Sequence, residues 1–319
     1  MSEKPRRRNA LWPGPEGCHA DMDLDALLKD VPPDRPVLIA GPTASGKSAL
    51  ALALARDGGG VVVNADALQV FANWRILTAR PSLSEEEVAP HRLYGHVSGD
   101  TAYSVGHWLR DVTPILAGPD RPIIVGGTGL YLTALTEGLA EIPQTPAEIR
   151  AEGEALLDRN GLQALLDDLD PETLARIDQR NPARVARAWE VQRTTGHGLA
   201  SWQDTTPAPL LPLDDVTPIC LLPDREWLLS RITRRFDAMI AQGALEEARA
   251  NLPDWSPTAP SSKAIGAREL IAHLRGEMTL ENARDSAVVA TRQYAKRQMT
   301  WFRARMSKWC NFPIPSEHV

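Results

Sequence analysis

Four short apolar runs appear before residue 224: "PVLIAG" from Pro36, "VVVNAD" from Val61, "PIIVGG" from Pro122 and "VTPICLLP" from Val216. Each is too short for a helix and too continuous for a strand wetted on one face, so each reads as a buried strand. Amphipathic or alanine- and leucine-rich stretches separate them. "GKSALALALA" follows the first run, and "DRPIIVGGTGLYLTALTEG" repeats the order of strand, glycine turn and helix. Strands alternating with helices predict an α/β protein with a parallel sheet covered on both faces. Ligands of such sheets lie at the carboxyl ends of the strands.

The pattern changes after Gly138. "AEIRAEGEALLDRNGLQALLDDL" and "PARVARAWEVQRTTG" carry helical periodicity with few strand signals, and the proline-rich "TTPAPLLPLDD" leads back to the fourth strand. This predicts a helical insertion over 139–205 within a core formed by 34–138 and 206–319. Residues 1–33, rich in proline, glycine and charge, read as a mobile tail.

Composition narrows the class. The 319 residues are 43% hydrophobic and 24% charged, as in a soluble globular protein. No apolar run approaches the ~20 residues of a membrane span. Cys18, Cys220 and Cys310 lie far apart, without zinc-finger spacing, and read as reduced thiols of a cytoplasmic protein. The expected state is a monomer.

The net charge of −6 argues against a surface that is basic throughout, but the charge is uneven. Ten acids face only Arg150 and Arg159 between Glu137 and Glu172, whereas seven bases face Asp285 alone between Arg284 and Lys308. That asymmetry permits a local polyanion site on an acidic protein.

The most specific motif is "GPTASGKS", which fits G-x-x-x-x-G-K-[ST] from Gly41 to Ser48. Its members Gly41, Pro42, Thr43, Ala44, Ser45, Gly46, Lys47 and Ser48 form the expected phosphate cradle. Gly41 and Gly46 let backbone N–H groups turn inward, and the following helix adds positive potential. Lys47 supplies a point charge, and the Ser48 hydroxyl a contact to phosphate or Mg²⁺. The buried run "PIIVGG" ends in glycine, where a nucleoside triphosphatase would place the acid for its metal. The acid stands at the end of the second strand instead. Asp66 there suits a base that deprotonates an acceptor, although an Asp after a strand also serves as a plain turn former. "VGGTGLY" sets Thr128 at another strand end, as a ligand donor or a helix cap. Arg184 with Arg187, Arg231 with Arg234 and Arg235, and Arg292 with Lys296 and Arg303 share helical faces. Trp301 and Phe302 read as core or as stacking groups.

Taken together, these motifs resemble those of the bacterial tRNA dimethylallyltransferases. The resemblance runs from about Val37 to Phe302 through "GPTASGKSAL", "NADALQVF", "IIVGGTGLYLTAL", "PARVARAWEV", "RRFDAMIAQGALEEA", "KAIGARELI" and "TRQYAKRQMTWFR". It implies a P-loop NTPase-like fold whose loop holds dimethylallyl diphosphate with Mg²⁺. The prenyl group would pass to the exocyclic amine of the adenosine beside the anticodon in the tRNA stem-loop. Asp66 matches the general base, Arg235 a diphosphate-binding catalytic arginine, and Thr128 a residue of the reaction channel. Ala67, Leu68 and Gln69, then Arg150, then Ala183, Arg184, Val185, Ala186 and Arg187 match tRNA-contacting stretches. Lys263, Arg268, Arg292 and Lys296 complete that set.

Three departures stand out. Ala67 replaces a serine after Asp66, "RILTARP" replaces a "DIGTAKP"-like run, and the acid after "HRL" is missing from "YGHV". Two other readings use the same residues: a small-molecule or nucleoside kinase with Asp66 as its base, and a tRNA-binding homologue with impaired catalysis.

Overall fold

The computed structural model describes residues 24–314. Its sheet contains β1 (Val37–Ala40), β2 (Val61–Asn64), β3 (His91–Arg92), β4 (Pro122–Gly126), β5 (Thr217–Pro223) and β6 (Cys310–Ile314), in the order β3-β2-β4-β1-β5-β6. Every neighbouring pair is parallel. The fold class is therefore the expected α/β core of phosphate-loop type.

The apolar runs are continuous because the sheet is covered twice. Leu38, Ala40, Val61, Val63, Ile124 and Cys220 pack into one cluster with Trp108, Leu132 and Phe302. Their alternates Val37, Ile39, Val62, Ile123, Val125 and Ile219 pack into another with Leu50 and Leu54. Period-2 alternation thus delivers apolar side chains to both faces.

The chain leaves β1 for β2 on one side and passes from β4 to β5 on the other. The order reverses around β1 and β4, and the crevice above such a switch point is where a ligand is expected. The segments that follow β1, β2 and β4 hold the phosphate loop, Asp66 and Thr128.

The described chain divides into two compact units, one running to Thr136 and resuming at Leu211, the other spanning Glu137–Leu210. The second is helical, with helices Ala147–Asn160, Leu162–Asp167, Pro171–Arg176, Pro182–Thr195 and Leu199–Asp204. Leu165, Leu169, Val185, Ala188 and Trp189 form its core, and the Trp189 indole donates to Asp168 at 3.0 Å. In the first unit, helices Arg225–Ala241 and Leu280–Arg305 anchor a third cluster around Ile232, Phe236, Leu270 and Ala287.

Some expectations need correction. The tail reading of 1–33 fails from Leu24 onward. Leu24–Asp30 is a helix, and Leu27 and Val31 are buried against Val37, Ile39 and Leu54. Leu27, Leu28 and Val31 recur at helical spacing, a signal obscured by the charges around them. The rest of that tail, with Cys18, lies outside the described residues. Cys310 is disulfide-bonded, not a reduced thiol, whereas Cys220 is free and buried. Both edge strands, β3 and β6, escape the apolar pattern. β3 has two residues, and β6 contains Pro313, which an edge tolerates because one side needs no N–H donor.

Candidate active site

The cradle is a turn held from outside. Gly46 has φ 92° and Ala44 φ 64°, so one of two left-handed residues bears a side chain, at a cost of roughly 1 kcal/mol. Ser45 N–H donates to the Pro42 carbonyl at 3.2 Å, and Lys47 Nζ donates to the same oxygen at 3.3 Å. Helix Arg225–Ala241 braces the loop: Arg231 donates to the Ala44 carbonyl at 3.1 Å, and Arg235 to the Thr43 hydroxyl at 3.2 Å. The Ser45 hydroxyl is buried with no hydrogen-bond partner among the described residues, a donor left for a ligand. The Ser48 hydroxyl belongs to an exposed residue near the start of helix Lys47–Gly58.

Electrostatics point the same way. Burial pushes the Lys47 ammonium down to about 8, while Asp66 opposes the shift and Arg235 adds to it. Arg235 is also lowered by burial, with Asp66 opposing and Arg231 adding. Two desolvated cations beside one carboxylate make a site that an added anion would stabilise.

Asp66 is fixed by its neighbours. Its N–H donates to Asn64 Oδ1 at 2.8 Å, and Asn64 Nδ2 donates to the carbonyls of Asp66 and Leu93 at 3.0 Å each. Asp66 Oδ1 accepts the Leu68 N–H at 3.0 Å. The Thr128 hydroxyl accepts the Ala67 N–H at 2.9 Å, which ties the end of β4 to the residue after the acid. The glycines around Thr128 serve close approach: a Cβ on Gly129 would overlap the Trp301 ring, and one on Gly127 would come 3.3 Å from Asp66 Oδ2.

Thr43, Asp66 and Arg235 line one cleft that opens to solvent. Ile232, Phe236 and Met239 line it too, on the same helical face as Arg235 at spacings of three and four. An anion site thus adjoins an apolar wall. Tyr94, Tyr131 and Tyr294 have phenol pKa values raised by burial first and by Asp66 next, so all three remain neutral around the carboxylate.

Sequence reasoning missed Gln298, which lies in the quoted "TRQYAKRQMTWFR". It accepts the Thr43 N–H and donates to the Gly127 carbonyl, at 2.9 Å each. A glutamine amid the apolar positions of a basic helix was the available signal. Glu247 was missed as well. Its carboxylate accepts from the N–H groups of Arg75, Ile76 and Leu77 at 2.5, 2.9 and 3.0 Å. That contact holds the divergent "RILTARP" segment in place.

The residues expected to meet tRNA fall into separate groups. Leu68 lines the cleft with Asp66 and Ala67 stands between them in sequence, while the Gln69 amide is occupied by the Thr78 and Ala79 carbonyls at 2.8 and 2.9 Å. Lys263, Arg268, Arg292 and Lys296 are exposed, and Arg292 donates to the Thr233 hydroxyl at 3.0 Å. Arg284, at the start of the same basic helix, is held by Asp237 and Asp285 at 2.8 and 2.7 Å. In the helical unit Ala183 and Arg184 are exposed and Ala186 is half-buried. Arg150 and Arg187 share Glu190 at 4.0 and 3.6 Å. Val185 is fully buried, so its side chain serves the core. Of the two aromatics, Phe302 is core and Trp301 is half-buried.

Loop, sheet and strand-end acid define the class: a phosphate-loop α/β enzyme core that carries its acid just after the second strand. The IPP transferase family matches residues 69–305, and isopentenyl transferase matches residues 35–95. A tRNA dimethylallyltransferase of Cereibacter sphaeroides is 63% identical over 90% of this chain and 92% of its own. One of Ruegeria sp. is 63% identical over 90% and 97%. Among solved structures, the full-length tRNA isopentenylpyrophosphate transferase of Bacillus halodurans has TM-score 0.62 at 32% identity, covering 89% of this chain and 90% of that one. A eukaryotic dimethylallyltransferase acting on tRNA has TM-score 0.74 at 25% identity, covering 89% and 74%. The chain belongs to the IPP transferase family, that of the tRNA dimethylallyltransferases.

Proposed function

We propose that this protein transfers the dimethylallyl group of dimethylallyl diphosphate to the exocyclic amine of the adenosine 3′-adjacent to the tRNA anticodon. The observation that carries the reading is the cleft in which Thr43 and Arg235 meet Asp66 and an apolar wall. Family membership favours a transferase and lends the kinase reading no support. Relatives named as enzymes likewise leave the impaired homologue without support.

In the proposed reaction the allylic C1–O bond breaks, and the oxygen leaves with the electron pair as diphosphate. The adenine nitrogen forms a bond to C1, and Asp66 takes its proton. Lys47, Arg235, the Ser45 hydroxyl and the loop N–H groups oppose the charge that grows on the leaving group. Asn64 and Thr128 hold the Asp66 segment so that its carboxylate stays in the cleft. The target adenosine must leave its stack to reach that depth.

A magnesium ion fits this donor set. Among the described residues no cluster of three His, Cys, Asp or Glu side chains forms a protein cage, and Mg²⁺ is commonly held by one or two protein oxygens with substrate phosphates and water. The Ser48 hydroxyl is the group that would hold it beside the diphosphate. When bound, the ion would neutralise charge on the departing group.

Arg184, Lys263, Arg268, Arg292 and Lys296 would bind tRNA phosphates. No described helix is long and apolar enough to cross a membrane, and the reading places a monomer in the cytoplasm with its tRNA. The test is diphosphate release with unmodified tRNA and dimethylallyl diphosphate together. Release that requires both substrates supports the reading, and conversion of ATP to ADP with no diphosphate released from the two substrates refutes it.

A further inference from the structure

A buried amide joins the two sides of the site. Gln298, on helix Leu280–Arg305, is 6% exposed. Its Oε1 accepts the Thr43 N–H and its Nε2 donates to the Gly127 carbonyl, both at 2.9 Å. Only this amide orientation serves an N–H on one side and a carbonyl on the other. A Cβ on Gly127 would overlap Gln298 Nε2, so the glycine admits the amide.

The connection continues on both sides. Thr43 belongs to the cradle and meets Arg235. Gly127 precedes Thr128, whose hydroxyl accepts the N–H of Ala67 next to Asp66. Cradle and carboxylate are thus linked through Thr43, Gln298, Gly127, Thr128 and Ala67.

We infer that Gln298 is a positioning residue that sets the separation between the diphosphate cradle and Asp66. It rests on the transfer reaction proposed above, in which the leaving oxygen and the attacking amine must be held in register. The cradle does not depend on this amide for its own shape. The Ser45 and Lys47 contacts to Pro42 and the Arg231 contact to Ala44 remain without it. Donor binding therefore survives its loss, whereas the chemical step does not. A displacement of about 1 Å between reacting groups costs on the order of 10²-fold in rate.

Two substitutions of similar size test this. Gln298→Met removes both hydrogen bonds, and Gln298→Glu keeps an acceptor for Thr43 but offers Gly127 no donor. In both, the single-turnover rate constant at saturating donor and tRNA should fall about 10- to 100-fold. The dissociation constant for inorganic diphosphate and the KM for tRNA should stay within about threefold. Gln298→Asn, whose shorter side chain cannot span both partners, should give the same split if one of these variants does not fold. Rates within about threefold of the parent, or diphosphate affinity falling in step with rate, overturn the inference. A parent that prenylates no tRNA refutes the proposed reaction and the inference with it. An active parent indifferent to Gln298 refutes the positioning role alone.

Discussion

Arg235 donates a hydrogen bond to the Thr43 hydroxyl at 3.2 Å across 192 positions of sequence. The contact places a half-buried guanidinium at the edge of the phosphate loop, where its hydrogen-bond partner is a neutral hydroxyl. Such a cation is costly unless an anion arrives. Arg235→Ala should therefore weaken diphosphate binding by roughly 10²-fold, the usual cost of truncating one partner of a desolvated charge pair. Titration with a non-reactive diphosphate analogue checks this, and unchanged affinity would mean the cradle is misassigned.

Lys47 gives the site a pH dependence. Its pKa in the free protein is about 8 because burial dominates, and a bound diphosphate would raise it. Below that pKa the ammonium is already present. As the pH rises through it, neutral Lys47 must take up a proton to bind, so affinity should fall with increasing pH. Calorimetry in buffers of differing ionisation enthalpy should detect proton uptake above about pH 8 and little below it.

Asp66→Ala should remove nearly all transfer while leaving diphosphate binding mostly intact. A general base contributes typically ~10²–10⁴-fold in rate, and the Asp66 carboxylate accepts its hydrogen bond from Leu68, outside the cradle. Single-turnover measurement decides it; activity within a few-fold of the parent would sink the assignment.

The basic helix should confer salt dependence on tRNA binding. Each phosphate contact contributes roughly −0.7 to −0.9 to the slope of log affinity against log salt. Substituting Arg292 and Lys296 together by alanine should flatten the slope by about one to two units, with little change in donor affinity. The parent's slope in the double variant would remove these residues from the RNA surface.

Leu27→Ala should lower stability by about 2–5 kcal/mol, the range for truncating a buried leucine, because Leu27 is fully buried against the sheet. Denaturant unfolding measures the loss, and a change under ~0.5 kcal/mol would return this segment to the status of a tail.

Legibility in the sequence followed burial. Strands buried on both faces announce themselves as apolar runs, and β1, β2, β4 and β5 do so. Edge strands bury less and tolerate proline, which hides β3 and β6. The phosphate loop is legible because its backbone geometry demands glycines at fixed spacing; Gly46 with φ 92° is one of them. Gln298 and Glu247 are not legible, because their partners are backbone groups far away in sequence. No periodicity records that Gln298 will meet Thr43, or that Glu247 will hold the N–H groups of Arg75, Ile76 and Leu77. Val185 fits an RNA-contacting stretch by motif, but its helical position turns it toward Trp189 and the core of its unit.

The central claim is a prenyl transfer to one adenosine, and its most direct test is mass spectrometry of nucleosides from tRNA incubated with the protein, dimethylallyl diphosphate and Mg²⁺. The expected result is an adenosine carrying one dimethylallyl group, mapped by nuclease fragments to the residue 3′ of the anticodon and absent with Asp66→Ala. Unmodified adenosine throughout, with ATP consumed in its place, would contradict the claim.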